Sequence, residues 1–93
     1  MTPERWLPSR EAAYVQIDGR AAVLDLGDPS ALPVILEGTG AELWRDLAGG
    51  VSLDDLVEAQ VRRHPGVERT TIVAGVEAFV ADLARRRLLE VAT

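Results

Sequence analysis

Two stretches of alternating apolar and polar residues near the start of the chain predict a pair of β-strands. They cover residues 12–17 (Ala-Ala-Tyr-Val-Gln-Ile) and 21–26 (Ala-Ala-Val-Leu-Asp-Leu), and Asp18-Gly19 lies between them. Asp-Gly between two such runs is typical of a two-residue hairpin turn, since glycine tolerates the positive φ that a type I′ turn requires. The sequence therefore predicts an antiparallel hairpin.

The register of this hairpin sorts its side chains onto two faces. With a loop of two residues, Ile17 lies opposite Arg20, and residues that oppose each other share a face. One face then carries Val15, Ile17, Ala22, Leu24 and Leu26. The other face carries Tyr14, Gln16, Ala21, Val23 and Asp25. We expect the first face to pack on the core.

A third apolar run, residues 32–37, predicts a strand that lies at an edge of the sheet. Turn-forming residues 27–30 (Gly-Asp-Pro-Ser) lead into it, and Gly38 and Gly40 end it. Pro33 has no N–H to donate to a neighbouring strand, so an edge position is favoured over a central one. An edge strand presents unpaired backbone groups that another chain can join.

Three helices are predicted for most of the remaining chain, at about 39–48, 53–63 and 69–87. Gly49-Gly50 ends the first, Ser52 is a candidate N-cap for the second, and His64-Pro65-Gly66 ends the second. The third helix has one apolar stripe at helical spacing, formed by Ile72, Val76, Phe79, Val80 and Leu83. Gly75 sits just off that stripe. The apolar residues 88–92 have the length of a further short strand, and the sequence does not decide whether residues 1–12 are loose or pack Trp6 on the sheet.

Three strands followed by three helices predict one small α+β domain over residues 1–93, with the shape of a winged helix-turn-helix. No apolar run is long enough to span a bilayer, and the N-terminus lacks the layout of a signal peptide. There is no Cys and a single His. We therefore expect a cytoplasmic protein that binds no metal and no cofactor.

Catalysis and nucleic-acid binding are both poorly supported. One His and no Cys leave little from which to assemble a nucleophile with its base, and Asp54-Asp55 at a helix start is explained by capping and the helix dipole. The net charge is −5, and residues 53–60 hold three acidic and no basic side chains, which would repel phosphate. A DNA-binding winged helix is the alternative function, and salt-sensitive binding to random duplex DNA would revive it. We interpret the chain as a non-enzyme.

The order and spacing of four segments resemble the PqqD-like proteins, also called recognition elements for the precursors of ribosomally synthesised and post-translationally modified peptides (RiPPs). The segments are 23–26, 34–44, 47–57 and 76–90, so the resemblance extends over about residues 13–90. One departure is Arg87, because many members carry Gly before the final Leu-Leu.

The resemblance implies that a leader peptide adds as an antiparallel strand to the third strand and lies in a groove between that strand and the third helix. On this interpretation the strand residues are Pro33, Val34, Ile35 and Leu36. The helix wall is formed by Gly75, Val76, Phe79, Val80 and Leu83, and Arg86 meets an acidic leader residue. An apolar stripe is more commonly core than binding site, so Val76 and Leu83 also have a plain structural explanation.

The implied partners are the leader of a precursor peptide and the enzymes that act on it. As a small free-standing protein, the chain is most similar to the leader-binding subunits of lasso-peptide systems, whose partners are a leader peptidase and an ATP-dependent macrocyclase. Other modifying enzymes, such as radical-SAM proteins, fit the same family. No membrane or nucleic-acid partner is implied, and an exposed strand edge can also pair with a second copy of the chain.

Overall fold

Within residues 4–92, which the computed structural model describes, the chain forms five strands and three helices. They are, in order, β1 (Arg5–Pro8), β2 (Ala12–Ile17), β3 (Arg20–Asp25), β4 (Val34–Glu37), α1 (Thr39–Leu47), α2 (Leu53–Arg63), α3 (Arg69–Arg85) and β5 (Leu89–Ala92). The three predicted helices are confirmed, and α2 has the predicted bounds. None of these helices is long and apolar enough to cross a bilayer.

The predicted hairpin is confirmed in both turn and register. Asp18 and Gly19 have φ values of 48° and 77°, as a type I′ turn requires. Ile17 pairs with Arg20, and β4 then pairs with β3, so that β2, β3 and β4 form an antiparallel meander in that order. β4 begins at Val34, two residues later than predicted.

The predicted core face of this sheet is wrong. Val15, Ile17 and Leu26 are exposed by 58, 64 and 63%. The buried face is the other one, where Ala21 and Val23 are 2% and 0% exposed. Because β3 is apolar on both faces, alternation alone does not distinguish them, and the helices determine which face is covered.

Trp44 of α1 is the centre of the core beneath the sheet. It is fully buried, and the ring of Tyr14 packs edge-on against it with 5.2 Å between ring centroids. All three helices contribute to the same core, whose largest fully buried side chains are Trp44, Leu47, Leu56, Leu83, Leu88 and Val23. Ser52 caps α2 as predicted, because its Oγ accepts a hydrogen bond from the N–H of Asp55 (3.2 Å). The Ser52 cap begins α2, and burial of the Ala21 and Val23 face of the sheet packs the helices on that side.

A second, two-stranded sheet joins the two ends of the described chain. β1 pairs antiparallel with β5, which confirms the strand predicted at the C-terminal end. Trp6 also exchanges two backbone hydrogen bonds with Val51, of 2.7 and 3.0 Å. The N-terminal segment that the sequence left undecided is therefore a strand over Arg5–Pro8, and residues 1–3 lie outside the described part of the chain.

α3 ends at Arg85, two residues before the predicted end, because the chain turns through a left-handed residue. Arg87 has φ = 64°. Its N–H donates to the carbonyl of Ala84 (3.0 Å), and the N–H of Leu88 donates to the carbonyl of Leu83 (2.9 Å). These two bonds form a Schellman C-cap, in which the left-handed position is usually glycine. Gly suits this position because it has no Cβ. Arg87 does have a Cβ, and the left-handed conformation disfavours it.

Replacing Arg87 by Gly should raise the free energy of unfolding by up to about 1 kcal/mol. A left-handed conformation costs an L-residue about 1–2 kcal/mol, and the greater flexibility of Gly in the unfolded chain offsets about 0.5–1 kcal/mol of that gain. Urea denaturation would measure the change. Arg86→Gly is the matched control, because Arg86 has a φ of −85° and the same substitution there should lower stability. A destabilised Arg87→Gly variant would contradict this account of the cap.

Candidate functional site

The two-residue turn between β2 and β3 determines which backbone groups of β3 hydrogen-bond to β2 and which to β4. The residues that close a two-residue turn, Ile17 and Arg20, exchange both N–H···O bonds with each other. In an antiparallel strand these bonds alternate from one neighbour to the other. Arg20 and Ala22 therefore bond to β2, whereas Ala21 and Val23 bond to β4.

The outer edge of β4 follows from this pattern. Leu36 and Val34, which oppose Ala21 and Val23, use their backbone groups within the sheet. The N–H and C=O of Ile35 and Glu37 point the other way, towards the free edge. Pro33 can add a carbonyl there but no N–H. β4 therefore offers two donors and up to three acceptors to an incoming chain.

α3 flanks this edge. A Cβ placed on Gly40, at the start of α1, would lie 3.5 Å from Cε1 of Phe79 and 3.8 Å from the side chain of Leu36. The ring of Phe79 and the buried side of β4 thus converge over the first turn of α1. This places Phe79 of α3 near Leu36 of β4, and a groove between β4 and α3 stays a prediction of the sequence resemblance.

Phe79 also lines a cavity where the three helices meet, which we call the junction pocket. Its volume is about 350 Å³. It is lined by Thr39, Gly40, Leu43, Gln60, His64, Val67, Thr71, Ile72, Gly75, Val76 and Phe79. A Cβ added to Gly75 would meet no atom within 4 Å, so the missing side chain leaves the pocket open.

Two ion pairs connect α1 to the end of α2 beside the junction pocket. Nε2 of His64 lies 2.9 Å from Oε1 of Glu42, and Arg63 donates to both carboxylate oxygens of Asp46 at 2.8 and 2.9 Å. The hydrogen bond from His64 is the main cause that lowers the pKa of Glu42, helped by the charges of His64 and Arg63. The carboxylate of Glu42 is therefore ionised at neutral pH, and His64 has a structural partner.

The other end of β4 borders a polar cleft of about 250 Å³ that contains Arg86, which we call the Arg86 cleft. Val34, Leu32 and Leu88 contribute its apolar surface. Nε of Arg86 donates to Oδ2 of Asp82 at 3.1 Å, and both side chains are exposed. An exposed pair of this kind is worth less than about 1 kcal/mol, so Arg86 can exchange Asp82 for another acid.

Comparison with known proteins agrees with this arrangement. The family model described as coenzyme PQQ synthesis protein D (PqqD) matches residues 20–89, which extend from β3 into β5. The chain belongs to the PqqD family. A solved structure, "TbiB1 in Complex with the TbiA(beta) Leader Peptide", superposes with a TM-score of 0.81 at 25% sequence identity, covering 90% of this chain and 94% of that one. The comparison with curated proteins found no match.

In this PqqD-family chain the ten residues predicted for the site fall into three groups. Five of them line one of the two cavities: Gly75, Val76 and Phe79 line the junction pocket, and Val34 and Arg86 line the Arg86 cleft. Pro33 and Ile35 are exposed on β4, and Leu36 is buried beside them. Val80 and Leu83 are 3% and 2% exposed and lie in the core, so they support the wall from behind.

Most of the pocket residues that the sequence did not indicate come from α1 and from α2 with its C-cap, and Val67 and Thr71 add to them from the start of α3 and the loop before it. Thr39, Gly40 and Leu43 reach the junction pocket from α1, and Gln60 and His64 reach it from α2. Both helices were predicted to within one residue at each end. Their convergence depends on how α1 and α2 pack on α3, and no local sequence pattern encodes that packing.

Gly75→Ala should raise the free energy of unfolding by about 1 kcal/mol, since Gly in a helix interior is that much worse than Ala. No compensating clash is expected, because the added methyl would enter open space. Thermal and urea denaturation would measure the effect. Gly40→Ala is the control, because Gly40 lies in the first turn of α1, where the helix-interior penalty of Gly applies less, so the gain should be smaller. A loss of stability in Gly75→Ala would show that the pocket is filled in the free protein.

Proposed function

We propose that this protein binds the leader segment of a ribosomally synthesised precursor peptide as an added strand on β4. The observation that carries the proposal is the free edge of β4 lying beside the apolar wall of α3. Membership of the PqqD family and the likeness to TbiB1, which was solved with a leader peptide, support it. Strand addition obtains affinity from backbone hydrogen bonds and specificity from pockets for alternate side chains.

A bound leader would run antiparallel to β4 and extend the meander by one strand. Its backbone would bond to Ile35 and Glu37, and Pro33 would end the ladder because it offers no N–H. The leader residue opposite Ile35 would direct its side chain to the outer face of the sheet. The residues on either side of it would direct theirs towards Phe79 and α3.

In this direction, the junction pocket and the Arg86 cleft would lie beside different parts of the leader. β4 runs from the Arg86 cleft towards α1, so an antiparallel leader enters beside the junction pocket and leaves past Arg86. An acidic residue in the downstream part can replace Asp82 as the partner of Arg86. The segment that follows would then be held beyond the end of β4, where another protein can reach it.

The role that fits these features is presentation and not catalysis. We propose that the leader is offered to a leader peptidase and a macrocyclase of a lasso-peptide system. Because the precursor is made on ribosomes, we expect the encounter in the cytoplasm. The protein's part is to hold the leader in one register while its partners act on the rest of the precursor.

The direct test is an NMR titration of isotope-labelled protein with the leader of the precursor peptide encoded beside it. Saturable shifts should concentrate in residues 34–37 and 72–86. Shifts confined to β2, whose outer edge is also unpaired within the described meander, would move the site. No response to the correct leader would refute the proposed function.

Ile35→Pro should weaken leader binding by about tenfold or more. It removes one of two edge donors, a loss of about 1 kcal/mol, and places a proline ring where the leader backbone would approach. Fluorescence anisotropy with a labelled leader would measure the affinity, and circular dichroism would show that the helices are retained.

Gln16→Pro is the matched control for that substitution. By the same alternation, the N–H of Gln16 points to the outer edge of β2, so this change removes an edge donor on the opposite side of the sheet. Leader affinity should be unchanged. Equal losses in the two variants would mean that proline perturbs the sheet as a whole and would count against binding at β4.

A further inference from the structure

β2 is an edge strand that lacks the protection found at the other edge of the meander. No strand among residues 4–92 pairs with its outer side. Its residues, Ala12–Ile17, include no charged side chain and no proline, which are the usual means by which edge strands resist pairing. β4, at the opposite edge, has Pro33 directly before it and ends on Glu37. Of the two edges, β2 is therefore the one suited to pairing with a strand like itself.

The backbone of β2 is complementary to that of a second copy. Because Val15 and Ile17 bond to β3, the N–H and C=O of Tyr14 and Gln16 point to the outer edge. These two residues lie on either side of Val15. In an antiparallel pair of β2 strands with its two-fold axis at Val15, each Tyr14 opposes Gln16 of the second copy and exchanges both N–H···O bonds with it. Every outward backbone group of both residues is then used.

The side chains on the outer face match in the same register. Val15 opposes Val15 of the second copy, and Ile17 opposes Ala13. Val15 and Ile17 are more than half exposed in the single chain and line an apolar depression on this face. Residues opposed without hydrogen bonds bring their side chains closest, and apolar pairs across two strands are favourable. Pairing through β2 therefore covers apolar surface that the fold leaves open.

The inner face has room for the aromatic ring that this register brings to it. Gln16 borders a cleft of about 220 Å³, whose walls include Ala41 and Arg45 of α1. Tyr14 of the second copy would lie beside Gln16 and face this cleft. A guanidinium group packs favourably on an aromatic ring, so Arg45 is a suitable neighbour for it. Both faces of the paired strands thus accept the side chains of a second copy.

We propose that the protein forms a two-fold dimer through β2, with the six strands in the order β4-β3-β2-β2-β3-β4. Self-pairing through β4 is disfavoured. It would use the outward groups of Ile35 and Glu37 and would set Pro33, which has no N–H, against Thr39, where α1 begins. In the β2 dimer the two β4 edges lie at the ends of the joint sheet, so each remains open to a peptide. The dimer does not depend on the proposed function.

Sedimentation equilibrium of the full-length protein, with no peptide present, tests the dimer. We expect a reversible monomer–dimer equilibrium with a Kd between about 10 μM and 1 mM. Each copy carries a net charge of −5, so raising NaCl from about 50 to about 500 mM should tighten the dimer by screening the repulsion. Amide hydrogen exchange followed by NMR locates the interface. Protection of Tyr14 and Gln16 should rise with protein concentration, whereas that of Ile35 and Glu37 should not.

Two pairs of substitutions separate the β2 edge from the fold. Gln16→Pro removes an outward donor and should weaken dimerisation by about tenfold or more. Ile35→Pro is its matched control, since it makes the same change on the opposite edge and should leave the dimer intact. Val15→Lys sets two ammonium groups opposite each other and should weaken the dimer similarly. Leu32→Lys adds the same charge at an exposed residue outside β2, and the dimer should persist. Circular dichroism shows that each variant is folded.

A protein that stays monomeric over this concentration range would overturn the proposal. A dimer that survives both Gln16→Pro and Val15→Lys would do the same, as would protection that rises at Ile35 and Glu37 instead. Because no peptide is present, this test and the leader titration can fail separately. A β2 dimer that does not respond to the leader would leave the interface standing and remove the proposed function, and leader binding by a strict monomer would do the reverse.

Discussion

The hydrogen-bond register imposed by the Asp18-Gly19 turn controls both the core and the edge of this protein. The turn needs two consecutive residues with positive φ, and its closure fixes the pairs of β2 and β3. It also fixes which backbone groups of β3 face β4, and the pairing of Ala21 with Leu36 then leaves the backbone groups of Ile35 outside the sheet. A slip of one residue would turn the N–H of Ile35 inwards and move the side chain of Leu36 from the core to solvent. The core and the candidate binding edge therefore depend on one local turn.

Under the proposed function, the helices beside β4 would restrict which chains can pair with its edge. An exposed strand edge can pair with almost any extended chain, which is why natural proteins protect or cover such edges. Phe79 of α3 and Leu36 of β4 both approach the start of α1, so under the proposed function an incoming strand would also have to fit against Phe79. The pairs Glu42–His64 and Asp46–Arg63 connect α1 to the end of α2 beside the junction pocket. Pairing would then be limited to chains whose side chains match these surfaces.

Local signals were enough to predict the elements, and long-range packing explains what they missed. The Asp-Gly turn and the Ser52 cap act within a few residues, so the hairpin and the bounds of α2 could be predicted. The buried face of the sheet could not, because Ala22 and Val23 are both apolar and only the position of Trp44 decides between their faces. The pairing of β1 with β5 joins segments more than 80 residues apart. The junction pocket likewise depends on three helices meeting.

The short ladder on β4 implies that side chains carry much of any peptide affinity. Five backbone hydrogen bonds at about 1 kcal/mol each give roughly 5 kcal/mol, whereas micromolar binding needs about 8 kcal/mol after the entropy cost of association has been met. Burying one large apolar side chain contributes about 1.5–3 kcal/mol. Occupation of the junction pocket, together with contacts along Phe79, can close that gap, whereas Arg86 on the exposed rim adds little. Under the proposed function, backbone pairing on β4 would set the register of the peptide, and side-chain contacts would determine which sequences bind well enough to be held in it.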